Sequence, residues 1–246
     1  MSTLFISDLH LEDSKPLTTG ILLDFLSGPA RQAAAVYILG DLFESWIGDD
    51  ALSQSARQVA AASAALNADG VPCFFMHGNR DFLLGESFAT MAGMTLLPDS
   101  LVIDLHGTPT LLMHGDSLCT DDIEYQAFRQ QSRNPAWQAG ILALSVDERL
   151  QMARNARDAS KAHTGAASME IMDVNETAVH ASFMENGVRR MIHGHTHRPA
   201  THHYQLEDGT VAERIVLADW YTAGSYLSVT AENVESIKLA SCTLSG

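Results

Sequence analysis

Seven side chains able to ligate a metal are spread between positions 8 and 197: Asp8, His10, Asp41, Asn79, His114, His195 and His197. They offer imidazole nitrogen and carboxylate or amide oxygen, and no thiolate. Mixed N/O donors suit Mn, Fe, Zn or Ni rather than soft-metal sites. Seven donors exceed what one catalytic ion takes while keeping a position open. They suit two ions ~3.5–4 Å apart that share a bridging carboxylate, and Asp41 is the natural bridge if it sits centrally. Such a pair acidifies water and neutralises phosphoryl charge, which is the chemistry of hydrolysing a phosphate ester or phosphoanhydride. Glycines beside the donors (Gly40, Gly78, Gly115, Gly194) let the backbone turn sharply there.

The elements that must bring these residues together share one arrangement. Thr3–Ile6 runs into Ser7-Asp8-Leu9-His10, and Ala35–Leu39 into Gly40-Asp41. Cys73–Met76 runs into His77-Gly78-Asn79-Arg80-Asp81. Thr110–Met113 runs into His114-Gly115-Asp116, and Arg190–Ile192 into His193-Gly194-His195-Thr196-His197. Short apolar runs rich in β-branched and aromatic residues read as buried strands. Ala- and Leu-rich segments between the first three, clearest over residues 51–68, read as helices. Alternating strands and helices predict an α/β sheet, in which ligands gather at the carboxyl ends of strands. Ile215–Ala218 and Tyr226–Val229 read as closing strands of a second sheet.

Composition narrows the function classes. The chain has 246 residues, 46% hydrophobic and 18% charged, enough for one large domain with a substantial core. The formal net charge of −15 argues against nucleic-acid binding, which needs Lys and Arg against phosphates. It also leaves an anionic substrate dependent on metal ions or a local basic patch. Cys73, Cys119 and Cys242 have no paired spacing, so disulfides and Cys-zinc sites are not expected, which fits a reducing cytosol. The N-terminal residues show no basic and apolar leader pattern, and no apolar run approaches the ~20 residues of a spanning helix.

Taken singly, each motif has a plain structural reading. Asp-x-His is weak, Gly40-Asp41 is an ordinary turn, and Gly78–Asp81 reads equally as a polar loop. Three alternating histidines rarely pack a core, but a solvated loop accommodates them. It is the ordered set, each member following a strand, that carries the signal. That set, D-x-H, G-D, G-N-x-D, H-G and G-H-x-H, resembles the calcineurin-like metallophosphoesterases. The resemblance implies an α/β fold of four layers, an αββα sandwich with a dinuclear site between the sheet edges. It implies that Asp8, His10, Asp41 and His197 hold one metal, and Asp41, Asn79, His114 and His195 the other.

Four stretches narrow the resemblance: Gly40-Asp41-Leu42-Phe43-Glu44-Ser45-Trp46-Ile47-Gly48-Asp49-Asp50, Gly78–Gly85, Ile171–Asn175, and His193–Pro199. These are similar to the UDP-2,3-diacylglucosamine pyrophosphatases of lipid A biosynthesis. That likeness implies water attack on the α-phosphorus of the nucleotide lipid, giving 2,3-diacylglucosamine 1-phosphate (lipid X) and UMP. It implies two Mn²⁺ ions as cofactors, and a cytoplasmic protein peripherally attached to the cytoplasmic leaflet of the inner membrane. By motif match Asp41, Asn79, Arg80 and His195 would serve catalysis, and Asn79, Arg80, Asp122, Ser160 and His195 would touch substrate. The family has Asn and Lys four and seven residues beyond that serine, where this chain has Thr164 and Ala167. Another dinuclear-metal phosphodiesterase or nucleotide pyrophosphatase, or a non-catalytic scaffold of the same fold, is the competing reading.

Many superfamily members carry His after the metal-binding Asn, where it can protonate a departing alkoxide; here the residue is Arg80. A phosphate leaving group, with a second pKa of about 6, needs little protonation. A guanidinium that grips phosphoryl oxygens is then the more useful group. The competing role is a surface ion pair with Asp81. Asp81 and Asp116 are candidates for orienting the ligand side chains.

Residues 118–170 interrupt the strand pattern. Phe128, Trp137, Ile141, Leu142, Leu144, Val146 and Leu150 have helix-compatible spacing, punctuated by Asn134-Pro135 and Gly140. The segment reads as a helical insertion within the single domain 1–246. The resemblance implies a cap sheltering acyl chains; a helical elaboration with an ordinary core face reads equally well. Arg149, Arg154, Arg157 and Lys161 fall close together here. They predict a basic patch for lipid head groups or the substrate diphosphate, against the alternative of a solvated face.

Overall fold

The first strand, β1 (Thr3–Ile6), shows how the layers are specified. Leu4 and Ile6 join one apolar cluster, and Phe5 between them joins another. Successive side chains of a strand leave on opposite faces, so an unbroken apolar run needs a cover on each side. The same division holds in β2 (Ala35–Leu39) and β3 (Cys73–Met76). Val36, Ile38, Cys73 and Phe75 face the first cluster, while Leu39 and Met76 face the second.

The computed structural model describes residues 1–166 and 173–241, and for 159–166 the backbone alone. Two sheets result. The first has the order β11-β10-β1-β2-β3-β4, with β4 (Met94–Leu96), β10 (Ala223–Val229) and β11 (Val234–Ser241). Strands β1 to β4 are parallel, in register Phe5↔Tyr37 and Tyr37↔Phe74, and β10 joins β1 antiparallel. The second sheet runs β5-β6-β7-β9-β8: β5 (Ser100–Leu105), β6 (Thr108–Met113), β7 (Arg190–His193), β8 (Ala200–Gln205) and β9 (Val211–Val216). Helices α1 (Pro16–Ser27), α2 (Gln54–Ala68) and α3 (Glu86–Ala92) pack on the first sheet through Leu22, Phe25, Val59 and Phe88. Helix α7 (Glu176–Asn186) packs on the second through Val179 and Phe183. Two mixed sheets with flanking helices are the α/β sandwich expected from the sequence.

One expectation is corrected. Tyr226–Val229 does not close the second sheet; it lies in β10 of the first, where Leu227 and Val229 pair with Phe5 and Thr3. Its alternating pattern was legible, but sheet membership is set by a long-range pairing that local pattern does not encode. Ile215 and Val216 do lie in the second sheet, on β9.

Between β6 and α7 lie α4 (Ile123–Ser132), α5 (Pro135–Leu142) and α6 (Val146–Ala166). Asp122 caps α4, its carboxylate accepting from the Tyr125 N–H at 2.9 Å. Asn134 caps α5, with Pro135 at the first helical position where the missing N–H costs nothing. Helix α5 buries no residue. Phe82, Phe128 and Trp137 form an aromatic triad with centroids 6.1–6.4 Å apart that seats this segment on the sandwich.

Candidate metal centre

Five chain turns bring the seven predicted donors together at the carboxyl ends of β1, β2, β3, β6 and β7. The turns after β1 and β2 are tied by backbone hydrogen bonds, Asp8 N–H to Gly40 O at 3.1 Å and His10 N–H to Asp41 O at 3.0 Å. The β7 turn is tied to the β6 turn by Gly194 N–H to His114 O at 2.8 Å. It is tied to β1 by the His195 N–H, which lies 2.9 Å from Asp8 Oδ2. Asp8, His10, Asp41, His114 and His195 are thereby each tied to the turn of another strand.

The backbone records the same concentration. Asp8, His10, Asp41, His195 and His197 all have positive φ, between 51° and 69°, and the one other non-glycine residue to do so among those described is His106. Left-handed backbone costs an L-residue roughly 1–2 kcal/mol. It persists where surrounding structure over-determines it, commonly at functional sites. Two glycines permit the close approach: a Cβ at Gly78 would overlap the Asp41 carboxylate, and one at Gly194 would overlap Asp8 and Ser7.

Among the described residues two groups of side chains could hold a metal ion: Asp8, His10 and His197, and Asp8, Asp41 and His114, with ligand atoms of each group within 4.8 Å of one another. His197 Nε2 lies 3.4 Å from Asp8 Oδ1 and 3.4 Å from His10 Nε2. Asn79 Oδ1 lies 3.1 Å from His114 Nε2 and 3.0 Å from His195 Nδ1, which joins both residues to the second group. Asp41 sits between, with Oδ2 3.9 Å from His10 Nε2 and Oδ1 3.8 Å from His114 Nε2. Its two oxygens thus face opposite groups. Asp8 belongs to both groups as well, a sharing the sequence did not suggest.

The donors fit divalent cations. A hydrogen bond between the facing His10 and His197 nitrogens uses one lone pair at most; a cation between them uses both. The outer nitrogens are also committed. His114 Nδ1–H donates to Leu39 O at 2.8 Å, which turns Nε2 toward the centre. His10 Nδ1 lies 3.2 Å from Glu44 Oε2, and Glu44 in turn faces Arg157 Nε at 3.1 Å. An imidazole whose second nitrogen is held by a carboxylate or carbonyl is the usual arrangement of a metal ligand.

Charge in the centre follows from burial and these neighbours. Burial works to raise the Asp8 carboxyl, but the His197 hydrogen bond and the charges of His114, His197 and His10 hold it well below the usual range. Burial opposes charge on His10 and His114. Glu44 with Asp41 and Asp8 outweighs it at His10, and Asp41 with Asp8 and Asp116 at His114, so both are raised. His195 goes the other way, down to about 4, through burial and the nearby His114. Burial and Asp41 push Asp81 up to about 6.

Asp81 is fully buried, so it is not the surface partner weighed for Arg80. It accepts from Leu42 N–H at 2.7 Å, Gly78 N–H at 2.8 Å, and Asp41 and Phe43 N–H at 3.3 Å. It therefore clamps the β2 and β3 turns rather than a ligand side chain. Asp116 accepts from Tyr125 Oη at 2.7 Å and Arg129 Nε at 2.9 Å, and ties α4 to the end of β6. The Tyr125 ring stacks on His195 with centroids 5.7 Å apart.

Arg80 donates its backbone N–H to Asp41 Oδ1 at 2.8 Å. Burial works to raise the nearby Glu44 carboxyl, but the His10 hydrogen bond and charge, and then the charges of Arg80 and Arg157, hold it below its usual range. Asp122 is buried at the head of α4. The side chains of Ser160, Lys161 and Thr164, and all of Ala167, Ile171 and Met172, lie outside the described residues. The basic patch expected on α6 is not a single surface. Arg149 is buried and bidentate on Asp50, at 2.7 and 2.5 Å, anchoring α6 to the Trp46–Asp50 turn. Arg157 is spent on Glu44 and Glu12, while Arg154 is exposed. Spacing along the chain gave proximity but not direction, and the acids that turn two of these cations inward come from distant segments.

Sequence reasoning passed over three residues. Glu44 lay inside a motif already singled out, three positions after Asp41, and its burial was the missing signal. Tyr125 had helical context only. Tyr221 stacks on His10 with centroids 4.9 Å apart and meets His197 edge-on at 5.4 Å, with no signal in its neighbourhood of the chain.

The chain is similar to known proteins along nearly its whole length. The model of the calcineurin-like phosphoesterase family matches residues 1–199. A UDP-2,3-diacylglucosamine hydrolase of Yersinia enterocolitica serotype O:8 is 52% identical over 97% of this chain and 99% of its own. One of Escherichia coli O81 is 52% identical over 96% and 98%. One of Edwardsiella ictaluri is 50% identical over 97% and 92%.

Proposed function

The chain belongs to the calcineurin-like phosphoesterases and, within them, to the family of the UDP-2,3-diacylglucosamine hydrolases; from that premise we propose that it hydrolyses the pyrophosphate bond of UDP-2,3-diacylglucosamine to lipid X and UMP. The observation that carries this reading is the convergence of Asp8, His10, Asp41, Asn79, His114, His195 and His197 from five separate chain turns, in a relative of such identity. Asp8, His10, Asp41 and His197 would hold one divalent ion and Asp41, Asn79, His114 and His195 the other, with manganese the ion we favour. Bound there, such ions acidify a water and neutralise phosphoryl charge.

The chain's own residues do the rest. Glu44 and the Leu39 carbonyl hold the His10 and His114 rings in one orientation. Asp81 fixes the turns carrying Asp41 and Asn79 relative to each other. Arg80, beside Asp41, would bind the oxygens of a leaving phosphate, a group that departs near neutral pH with little help from an acid. Asn79 and His195 would orient the phosphoryl group under attack at the α-phosphorus. Asp122 and Ser160 would be further substrate contacts.

We read α4–α6, within residues 118–170, as a cap for the acyl chains. Ile123, Leu142, Val146, Leu150 and Met152 are exposed on it, and a run of exposed apolar side chains suits a lipid substrate and a membrane surface. Among the described residues no helix is long and apolar enough to cross a membrane. The lipid substrate and these exposed apolar side chains support peripheral attachment, which we propose is to the cytoplasmic leaflet of the inner membrane. Incubating the protein with detergent-dispersed UDP-2,3-diacylglucosamine and Mn²⁺ should release UMP, and a chelator should stop it. Cleavage of soluble nucleotide diesters with no UMP from the lipid would point to a different phosphoesterase.

A further inference from the structure

On β9, behind the turn that carries His195 and His197, Arg214 is 4% exposed. Its Nε–H donates to Tyr204 Oη at 2.9 Å, and its Nη1–H donates to His193 Nε2 at 3.0 Å. Those bonds use two of the five N–H groups of a guanidinium. No carboxylate among the described residues forms an ion pair with it. A buried cation without an anionic partner is destabilising, and proteins seldom keep one without a reason.

Arg214 lines a cavity of about 230 Å³ together with Thr196, Arg198, His202 and Asp173. Thr196 contributes a polar atom that lacks a hydrogen-bond partner: its Oγ1 is buried and unsatisfied. The acid in the cavity is already committed. Asp173 accepts from its neighbour Val174 N–H at 2.8 Å on one oxygen and from Arg198 on the other. The charges of Arg198 and Asp173 offset each other, and that of Arg214 remains. The volume lies below the roughly 300–1,000 Å³ of pockets for drug-sized ligands, so the occupant is smaller than a nucleotide.

We propose that this cavity binds a free tetrahedral oxyanion of the size of inorganic phosphate, held by the Arg214 guanidinium and the Thr196 hydroxyl. The planar fork of Arg matches two oxygens of such an ion, and the hydroxyl supplies a third contact. The cavity is formed by residues outside the seven metal donors, although Thr196 and Arg198 share the turn that presents two of them. Its occupant would brace that turn from behind.

Crystals of the manganese-loaded protein soaked in selenate test this by anomalous diffraction. Selenium should appear within hydrogen-bond reach of Arg214 and Thr196, and inorganic phosphate should displace it. Arg214→Gln should remove that peak. If that variant fails to fold, Thr196→Val, which keeps the side-chain shape, should still lower the occupancy. Selenium confined to the metal centre, or a peak at the cavity that neither substitution weakens, would overturn the proposal.

Discussion

The two-sheet sandwich and the α4–α6 insertion are built on opposite terms. In β1 every residue is buried, and the first sheet meets α1–α3 through a continuous set of Leu, Ile, Val and Phe side chains. In α5 no residue is buried, and Leu142, Val146, Leu150 and Met152 remain exposed along α5 and α6. The sandwich is held by packing. The insertion is held by a few directed contacts: the Phe82–Phe128–Trp137 triad, Asp116 with Tyr125 and Arg129, Arg149 on Asp50, and Arg157 on Glu44. The proposed dinuclear centre would need donors fixed within fractions of an ångström, and the seven candidate donors sit on the rigid part. The proposed acyl-chain surface would need apolar area left open, and exposed apolar side chains lie on the insertion.

Substitutions that break this contrast should differ accordingly. The largest effect belongs to Asp41→Ala, which removes oxygens facing both donor groups. Hydrolysis of the lipid substrate should fall to background, with bound manganese lost in metal analysis. Next comes Asp81→Ala, which strands the Leu42 and Gly78 N–H groups inside the core. Unsatisfied buried donors cost about 1–3 kcal/mol each, so urea unfolding should show a loss of about 3 kcal/mol. Asp81→Asn, which keeps one acceptor oxygen, should lose less.

Glu44→Gln should act through metal rather than stability. It weakens the hold on His10 Nδ1 and on Arg157, and changes of that kind typically cost about 10–100-fold in metal affinity or activity. A manganese titration of activity would shift to higher concentration while the urea midpoint stays nearly fixed. The smallest effect on stability is expected for Leu142→Ser on the exposed side of α5. Surface changes usually stay within about 0.5 kcal/mol. If the insertion meets acyl chains, KM for the lipid should nonetheless rise, with turnover of detergent-free soluble phosphodiesters unchanged. A large loss of stability instead would place Leu142 in a core and undo the contrast.

The same contrast explains what could be read from the chain. Strands β1, β2, β3, β6 and β7 announce themselves because each is a short apolar run that stops at a polar turn. The donors follow, since each lies in the polar turn just past a strand. Two things did not follow. The placement of Tyr226–Val229 beside β1 rests on a pairing across more than half the chain. The inward turn of Arg149 and Arg157 depends on Asp50, Glu12 and Glu44, acids that spacing on α6 does not reveal. Positive φ at Asp8, His10, Asp41, His195 and His197 is compatible with Asp and His but not announced by them, so the strain at the centre was visible only in the fold. Tyr221, stacked on His10, arrives from the β9–β10 connection with no motif around it.

The most direct test of the central claim is a manganese-soaked crystal examined by anomalous diffraction at the manganese edge. Two peaks should appear roughly 3.5–4 Å apart, with Asp41 between them, one beside His10 and His197 and the other beside Asn79, His114 and His195. A single peak, or none within reach of Asp41, would contradict the account.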